Sequence, residues 1–436
     1  MNASEQNKQN QQERVIPKLR FPEFQTALGW KQDILGNLFD ERGKKNHPEK
    51  TILAATQDKG VIPYELMEKS VIRDRKNLNG YKLVLPEDFV ISLRSFEGGF
   101  EYSAYEGIIS PAYVILYPKI KICNYFFRIY FKRDSFIQQI QNNLNNSLRD
   151  GKSISYKQAA GLKIALPLFE EQQKIADCLS SLDELIELQE QKLAALKQHK
   201  KGLMQQLFPS HNDLQASKQA SKQASKQASK IVYPKLRFPQ FKNCEGWDVV
   251  ELKVLANRVT VKNKDNAIIR VLTNSANDGV IDQGDYFDRD IANKNNLDGY
   301  YIIEFGDYVY NPRISNLAPV GPISKNKVGI GVMSPLYTVF RFKNEQNDFY
   351  EYFFKTNTWH KYLQQNSNSG ARYDRMNITN NDFMSMPLPM LIPKEQQAIA
   401  DCLSSLDNLI NEQNERIGRL KTHKKGLMQQ LFPTIQ

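Results

Sequence analysis

Cysteine is scarce and dispersed in this 436-residue chain. Cys123, Cys178, Cys244 and Cys402 form no CxxC pair, which argues against a zinc site or a disulfide framework and fits a reducing cytoplasm. The five histidines make no HExxH or comparable metal spacing. No run of 18 or more apolar residues exists, so a membrane span is not expected. The first residues, MNASEQNKQNQQER, have no apolar core and do not read as a secretory signal. Acidic residues are outnumbered, 48 against 59 Lys and Arg, for a formal charge of +11. That excess is compatible with an anionic partner such as nucleic acid. Four of the lysines (Lys218, Lys222, Lys226 and Lys230) lie in one low-complexity stretch.

What is present is a repeat. PKLRFPEF at 17–24 returns as PKLRFPQF at 234–241, and Trp30 and Trp247 keep that offset of 217 residues. EQQKIADCLSSLDELI at 171–186 returns as EQQAIADCLSSLDNLI at 395–410, and HKKGLMQQLFP at 199–209 returns at 423–433. Between these ends the likeness is faint, limited to pairs such as NGY and DGY, DFVISLR and DYVYNPR, and SPAY and SPLY. Preserved ends with divergent middles suggest that the ends contact a common partner or each other, while the middles bind different things. A recent duplication with uneven drift is the alternative. The middles mix short β-rich runs with NG, DG and PED turn signals, which reads as α/β modules. FIQQIQNNL and YEYFFKTNTWHKYLQQ read as helices within them.

Each repeat closes on a long helix. The first carries Ile175, Leu179, Leu182, Ile186, Gln189, Leu193, Leu196, Lys200, Leu203 and Leu207 at alternating spacings of four and three. The second repeats the register with Ile399, Leu403, Leu406, Ile410, Gln413, Ile417, Leu420, Lys424, Leu427 and Leu431. Such spacing makes a coiled-coil seam, and polar residues at matched places can set its register. The simplest partner for each seam is the other, packed antiparallel about a pseudo-twofold axis, each rod of about 38 residues being roughly 57 Å long. Packing of each helix on its own module or on another protein is the alternative. Lysines and arginines crowd the helix ends, suiting the helix dipole or a phosphate. Residues 215–230, QASK four times, place Lys at i, i+4 with no apolar face, which reads as a mobile basic linker.

The segments expected are therefore a disordered tail (1–16), a first module (17–168), a spacer helix (169–209), a linker (210–233), a second module (234–392) and a second spacer helix (393–436). The fold class is α+β with a tandem duplication.

The PKLRFPEF…W start, the LP…EQQ.IAD…LD..I helix start, the long helices and the duplication together resemble the specificity subunits of type I restriction-modification enzymes. The resemblance runs from about residue 17 to the end of the sequence. It implies that the middles are target recognition domains reading a bipartite, asymmetric site on double-stranded DNA. It implies as partners two modification subunits, which methylate adenine with S-adenosylmethionine, and restriction subunits that translocate and cut with ATP and Mg. No cofactor or metal is then expected in this chain, and its place is the cytoplasm. A coiled-coil scaffold for two protein-binding modules, or a stand-alone DNA methyltransferase or nuclease, are the other classes to weigh.

Missing chemistry speaks against the enzyme class. The nearest approach to a [DNS]PP[YFW] methyltransferase motif is Asn311-Pro312-Arg313, without the second proline and the aromatic. Gly151-Lys152-Ser153 lacks the first P-loop glycine, because Asn146 stands there. Glu190-Gln191-Lys192 has a nuclease-like ExK spacing but falls mid-helix among charged neighbours. No catalytic residue is assigned. Base readout calls for Arg, Lys, Asn, Gln or Ser on exposed loops. The candidates are Arg94, Ser95, Arg149 and Lys152 in the first module, and Asn311, Arg313, Asn316, Arg372, Tyr373 and Arg375 in the second. Each could instead be an ordinary surface or salt-bridge residue.

Overall fold

A computed structural model of the chain describes residues 14–67, 78–91, 100–142, 145–147, 151–153, 155–214, 231–286, 297–367 and 374–435. The QASK stretch at 215–230 lies outside them. The chain divides into two compact units, Met1–Glu190 with Glu415–Gln436, and Gln191–Asn414. The units thus cut across the repeats: each takes its module, the start of its own long helix and the end of the other.

In the first unit, Trp30–Ile34 pairs antiparallel with Arg14–Val15 on one side and Lys163–Leu166 on the other. Arg14 and Val15 are thus in a strand although they fall in the segment expected to be a disordered tail, whose residues 1–13 lie outside the described residues. A second antiparallel sheet runs in the order Phe39–Glu41, Val114–Pro118, Phe89–Ile91, Phe100–Tyr102. Helices Asn124–Tyr130 and Asp134–Asn142 pack against it and fill the core with rings: Phe126, Phe127, Tyr130, Phe131 and Phe136 join Phe39, Phe89 and Phe100. Most of these rings meet edge-on or tilted at centroid separations of 4.8–6.1 Å. Offset and T-shaped contacts of this kind add to the area term.

The second unit repeats the plan with changes. Trp247–Glu251 lies between Ile231–Val232 and Pro387–Met390. Ala256–Arg258, Thr338–Phe342, Tyr308–Tyr310 and Ile323–Lys325 form the antiparallel sheet. A further sheet orders Gly279–Asp282, Val271–Ser275, Gly331–Met333 and Tyr301–Ile303, with one parallel pair. The run YEYFFKTNTWHKYLQQ is broken into helices Asp348–Phe354 and His360–Asn366. Thr356 ends the first, its hydroxyl donating to the Phe353 carbonyl at 2.7 Å. Trp359 then turns inward and donates from Nε1 to the Phe354 carbonyl, burying the largest side chain of the segment. Burial of the indole outweighs continuation of the helix.

The long helices span Phe169–Leu207 and Pro393–Leu431, 39 residues each. Every apolar residue of the expected seam is buried or half-buried: Ile175, Leu179, Leu182, Ile186, Leu193 and Leu196 in the first, and Ile399, Leu403, Leu406, Ile410, Ile417 and Leu420 in the second. In the first unit the start of one helix runs antiparallel to the end of the other, with Asp183 bonded to Lys424 and Glu190 to Lys421. In the second unit Asp407 is bonded to Lys200 in the same sense. The two lysines of the expected seam, Lys200 and Lys424, are thus each paired with an aspartate of the facing helix. Each aspartate also accepts a tyrosine hydroxyl, Tyr125 on Asp183 at 2.6 Å and Tyr352 on Asp407 at 3.0 Å.

The preserved ends meet within each unit. Arg20 of PKLRFP forms a two-pronged bond to Glu171 of EQQ, both contacts 2.7 Å, and Arg237 does the same to Glu395 at 2.7 and 2.8 Å. Leu19 N donates to Gln430 O, and Leu236 N to Gln206 O, tying the opposite LMQQLFP segment down. Leu431 and Phe432 close the first core, and Leu207 and Phe208 the second.

Candidate nucleic-acid interface

Arg94, Ser95, Arg149, Arg372 and Tyr373 lie outside the described residues. Lys152 sits in the short strand Gly151–Ser153, with its backbone opposite Asn146. The remaining four candidates fall in the second unit, where strand Tyr308–Tyr310 runs out into the loop 311–322.

That loop is held at several points. Asn311 N donates to Pro322 O at 3.0 Å and closes its base. The Asn311 amide donates to Asn274 O at 2.9 Å, while its oxygen accepts Arg313 N at 3.0 Å. Asn274 is almost fully buried and bridges the two arms of the loop, donating to Val309 O at 2.7 Å and Pro322 O at 3.2 Å. Gly321 has φ +82°, and a Cβ there would meet Asn311 O at 2.0 Å, so this corner admits only glycine. At the far end Ser315 and Ala318 exchange backbone hydrogen bonds of 3.0 and 3.1 Å, making a tight turn.

Arg313 and Arg375 face each other as an antiparallel bridge, with Ile314 N donating to Asp374 O at 2.9 Å and Met376 N to Pro312 O at 2.8 Å. Two arginines that are 62 positions apart in sequence are therefore neighbours. Arg313 and Asn316 are exposed, while Arg375 is half-buried with a buried Nε that has no hydrogen-bond partner. Asn311 differs from the other three, because its side chain is spent on holding the loop. An exposed guanidinium and amide on a fixed backbone can donate to base edges or phosphates.

Asn274 and the exposed Leu317 were missed by sequence reasoning. The run VLTNS carries no sequence signal for Asn274, whose burial follows from tertiary packing.

A cleft of about 500 Å³ in the first unit is lined by Asp58, Glu101, Arg128, Lys132, Asp183 and neighbouring residues. Glu101 is buried; Lys132 bonds to Oε1, and Oε2 has no partner. Burial pushes its carboxyl up to about 7, with Lys132 opposing. A carboxyl whose folded value is raised stabilises the fold most at low pH, and that contribution fades as pH rises from the ordinary range near 4.5 through about 7. Urea midpoints of the wild type should therefore fall over this window, and Glu101→Gln should flatten the slope. An unchanged slope in the variant would exclude Glu101 as its source.

Among the described residues no group of three or more His, Cys, Asp and Glu is placed to hold a metal, and no helix is long and apolar enough to cross a membrane.

Duplicated α+β modules with a shared frame and long helices that pair within each unit define a class of tandem-repeat protein. The chain belongs to the type I restriction-modification DNA specificity domain family, whose profile matches twice, at residues 28–198 and 245–420. The type I restriction enzyme MjaVIII specificity subunit of Methanocaldococcus jannaschii is 25% identical over 421 residues, covering 90% of this chain and 89% of that protein. A solved chain from a study of complex assembly and conformational transition of the type I R-M system aligns with TM-score 0.52 at 13% identity. That alignment covers 93% of this chain and 98% of the other, a likeness of fold.

Proposed function

We propose that the chain is the DNA sequence-recognition subunit of a type I restriction-modification complex. It reads a bipartite, asymmetric site, one half-site by each unit. It directs adenine methylation or cleavage by two modification subunits using S-adenosylmethionine and by restriction/translocase subunits using ATP and Mg. The chain supplies recognition and no catalytic group.

The observation that carries this reading is the contrast within each repeat. The frame, Arg20–Glu171 and Arg237–Glu395, is kept bond for bond. The sequences between differ: DFVISLRSFEGGF at 88–100 stands against DYVYNPRISNLAPVGPI at 307–323, and in the matching hairpins Ala55 pairs with Val61 where Asn274 pairs with Val280. Like frames with unlike loops suit one assembly that reads two different half-words. Methylome sequencing of cells with and without this chain tests it. An interrupted adenine motif with unlike halves should vanish when the chain is removed. Loss of an uninterrupted word, or of none, would overturn the reading.

Within that complex, Arg372→Ala together with Arg375→Ala should weaken binding to the cognate duplex by about 5- to 150-fold, the range of one bidentate base contact at ~1–3 kcal/mol. An unchanged mobility-shift titration would remove these arginines from the interface.

A further inference from the structure

Leu317 is 74% exposed, more than any other large hydrophobic side chain among the described residues. It is placed on the turn Ser315–Ala318, between Asn316 and the buried Ala318. A leucine on a slack surface loop would mean little. This one stands on a loop that is closed at its base by Asn311 N, bridged by buried Asn274, cornered at Gly321 and laddered to Arg375. The fold commits a buried asparagine, whose Oδ1 stays without a hydrogen-bond partner, to hold the base of a loop whose Leu317 side chain belongs to neither buried cluster of this unit. Arg313, Ser315 and Asn316, exposed beside it, give the same tip hydrogen-bonding and cationic groups.

Duplex DNA offers a specific partner to an apolar tip flanked by such groups. Thymine is the one base that presents a methyl group in the major groove, and apolar side chains read it there. We propose that Leu317 is a specificity-determining residue of the second unit, packing on a thymine 5-methyl group of its half-site. This rests on the specificity-subunit reading above.

The test uses the full chain in complex with its modification subunits and the site obtained from the methylome. Each thymine of both half-sites is replaced singly by deoxyuridine, which removes the methyl and nothing else. At one position the wild-type complex should lose about fourfold in affinity, the worth of one buried carbon group of ~0.8 kcal/mol. Leu317→Ala should bind the unmodified duplex more weakly and be indifferent to uracil at that same position, whereas Leu317→Met should keep the sensitivity. Melting temperatures of the variants, unchanged because the side chain is exposed, separate a lost contact from a lost fold. If no thymine matters to the wild type, or if Leu317→Ala retains the uracil effect, the assignment is overturned. A wild-type complex that does not prefer its methylome site over a scrambled duplex would instead sink the underlying reading.

Discussion

Arg20→Ala is expected to lower the stability of the first unit by about 3–5 kcal/mol, the range for stranding one member of a buried ion pair. The guanidinium makes four hydrogen bonds: two to Glu171, one to Ala27 O at 2.7 Å and one to Leu28 O at 3.0 Å. Its side chain is 6% exposed and that of Glu171 1%. The hydrogen bonds to Glu171 raise the Arg20 pKa further, so the guanidinium stays charged over any ordinary pH. Alanine leaves an uncompensated carboxylate in a site closed to water, and two carbonyls lose their donor. Lysine should rescue little, since one ammonium cannot reproduce a planar two-pronged contact. Removing both charges by Arg20→Met with Glu171→Leu should recover much of the loss, because a desolvated pair is often replaceable by apolar groups of similar size. Urea unfolding of the single and double variants measures this. A loss below about 1 kcal/mol for Arg20→Ala would mean the pair does not hold the frame. Arg237→Ala should act alike in the second unit, where the same four contacts recur.

Phe432→Ala is expected to cost the first unit about 3–5 kcal/mol as well, by the transfer and cavity terms of a large-to-small core change. Phe432 is 2% exposed and lies within 5.2–6.0 Å of the Phe126, Trp30 and Tyr130 rings, with the Arg133 guanidinium 4.9 Å from its own ring. Arg133 also donates to Pro433 O, which seals the end of the chain onto the module. Phe208→Ala should act similarly on the second unit through Phe349 and Phe353. Lys425→Ala, on an exposed helical face, should change stability by no more than about 0.5 kcal/mol. Denaturant midpoints of the three variants decide the matter. If Phe432→Ala is as mild as the lysine change, the helix terminus is not a structural part of the core.

Much of the architecture was open to reading because it is written locally. The a/d spacing of Ile175 to Leu207 and of Ile399 to Leu431 is a property of consecutive residues, and the helices follow it over 39 residues each. The break at Lys355–Trp359 was not visible, since burying Trp359 depends on what surrounds it rather than on its neighbours in sequence. The candidate interface divides along the same line. Placing Arg313 and Asn316 after a strand was possible from the β-rich run DYVY. That Arg313 is paired with Arg375, and that Asn311 is spent on Asn274, required the loop to be folded.

The duplication, the helical seam, the scarcity of metal-binding and catalytic patterns and the resemblance to a DNA-specificity family were all determined by the sequence alone, because each is a matter of residue order. Only tertiary structure decided why the ends of the repeats are alike. PKLRFP, EQQ and LMQQLFP are far apart in the chain but converge on one buried guanidinium–carboxylate pair and one aromatic core in each unit. Ion pairing and burial of rings act over ångströms in space, whatever the separation in sequence, so no periodicity could announce them.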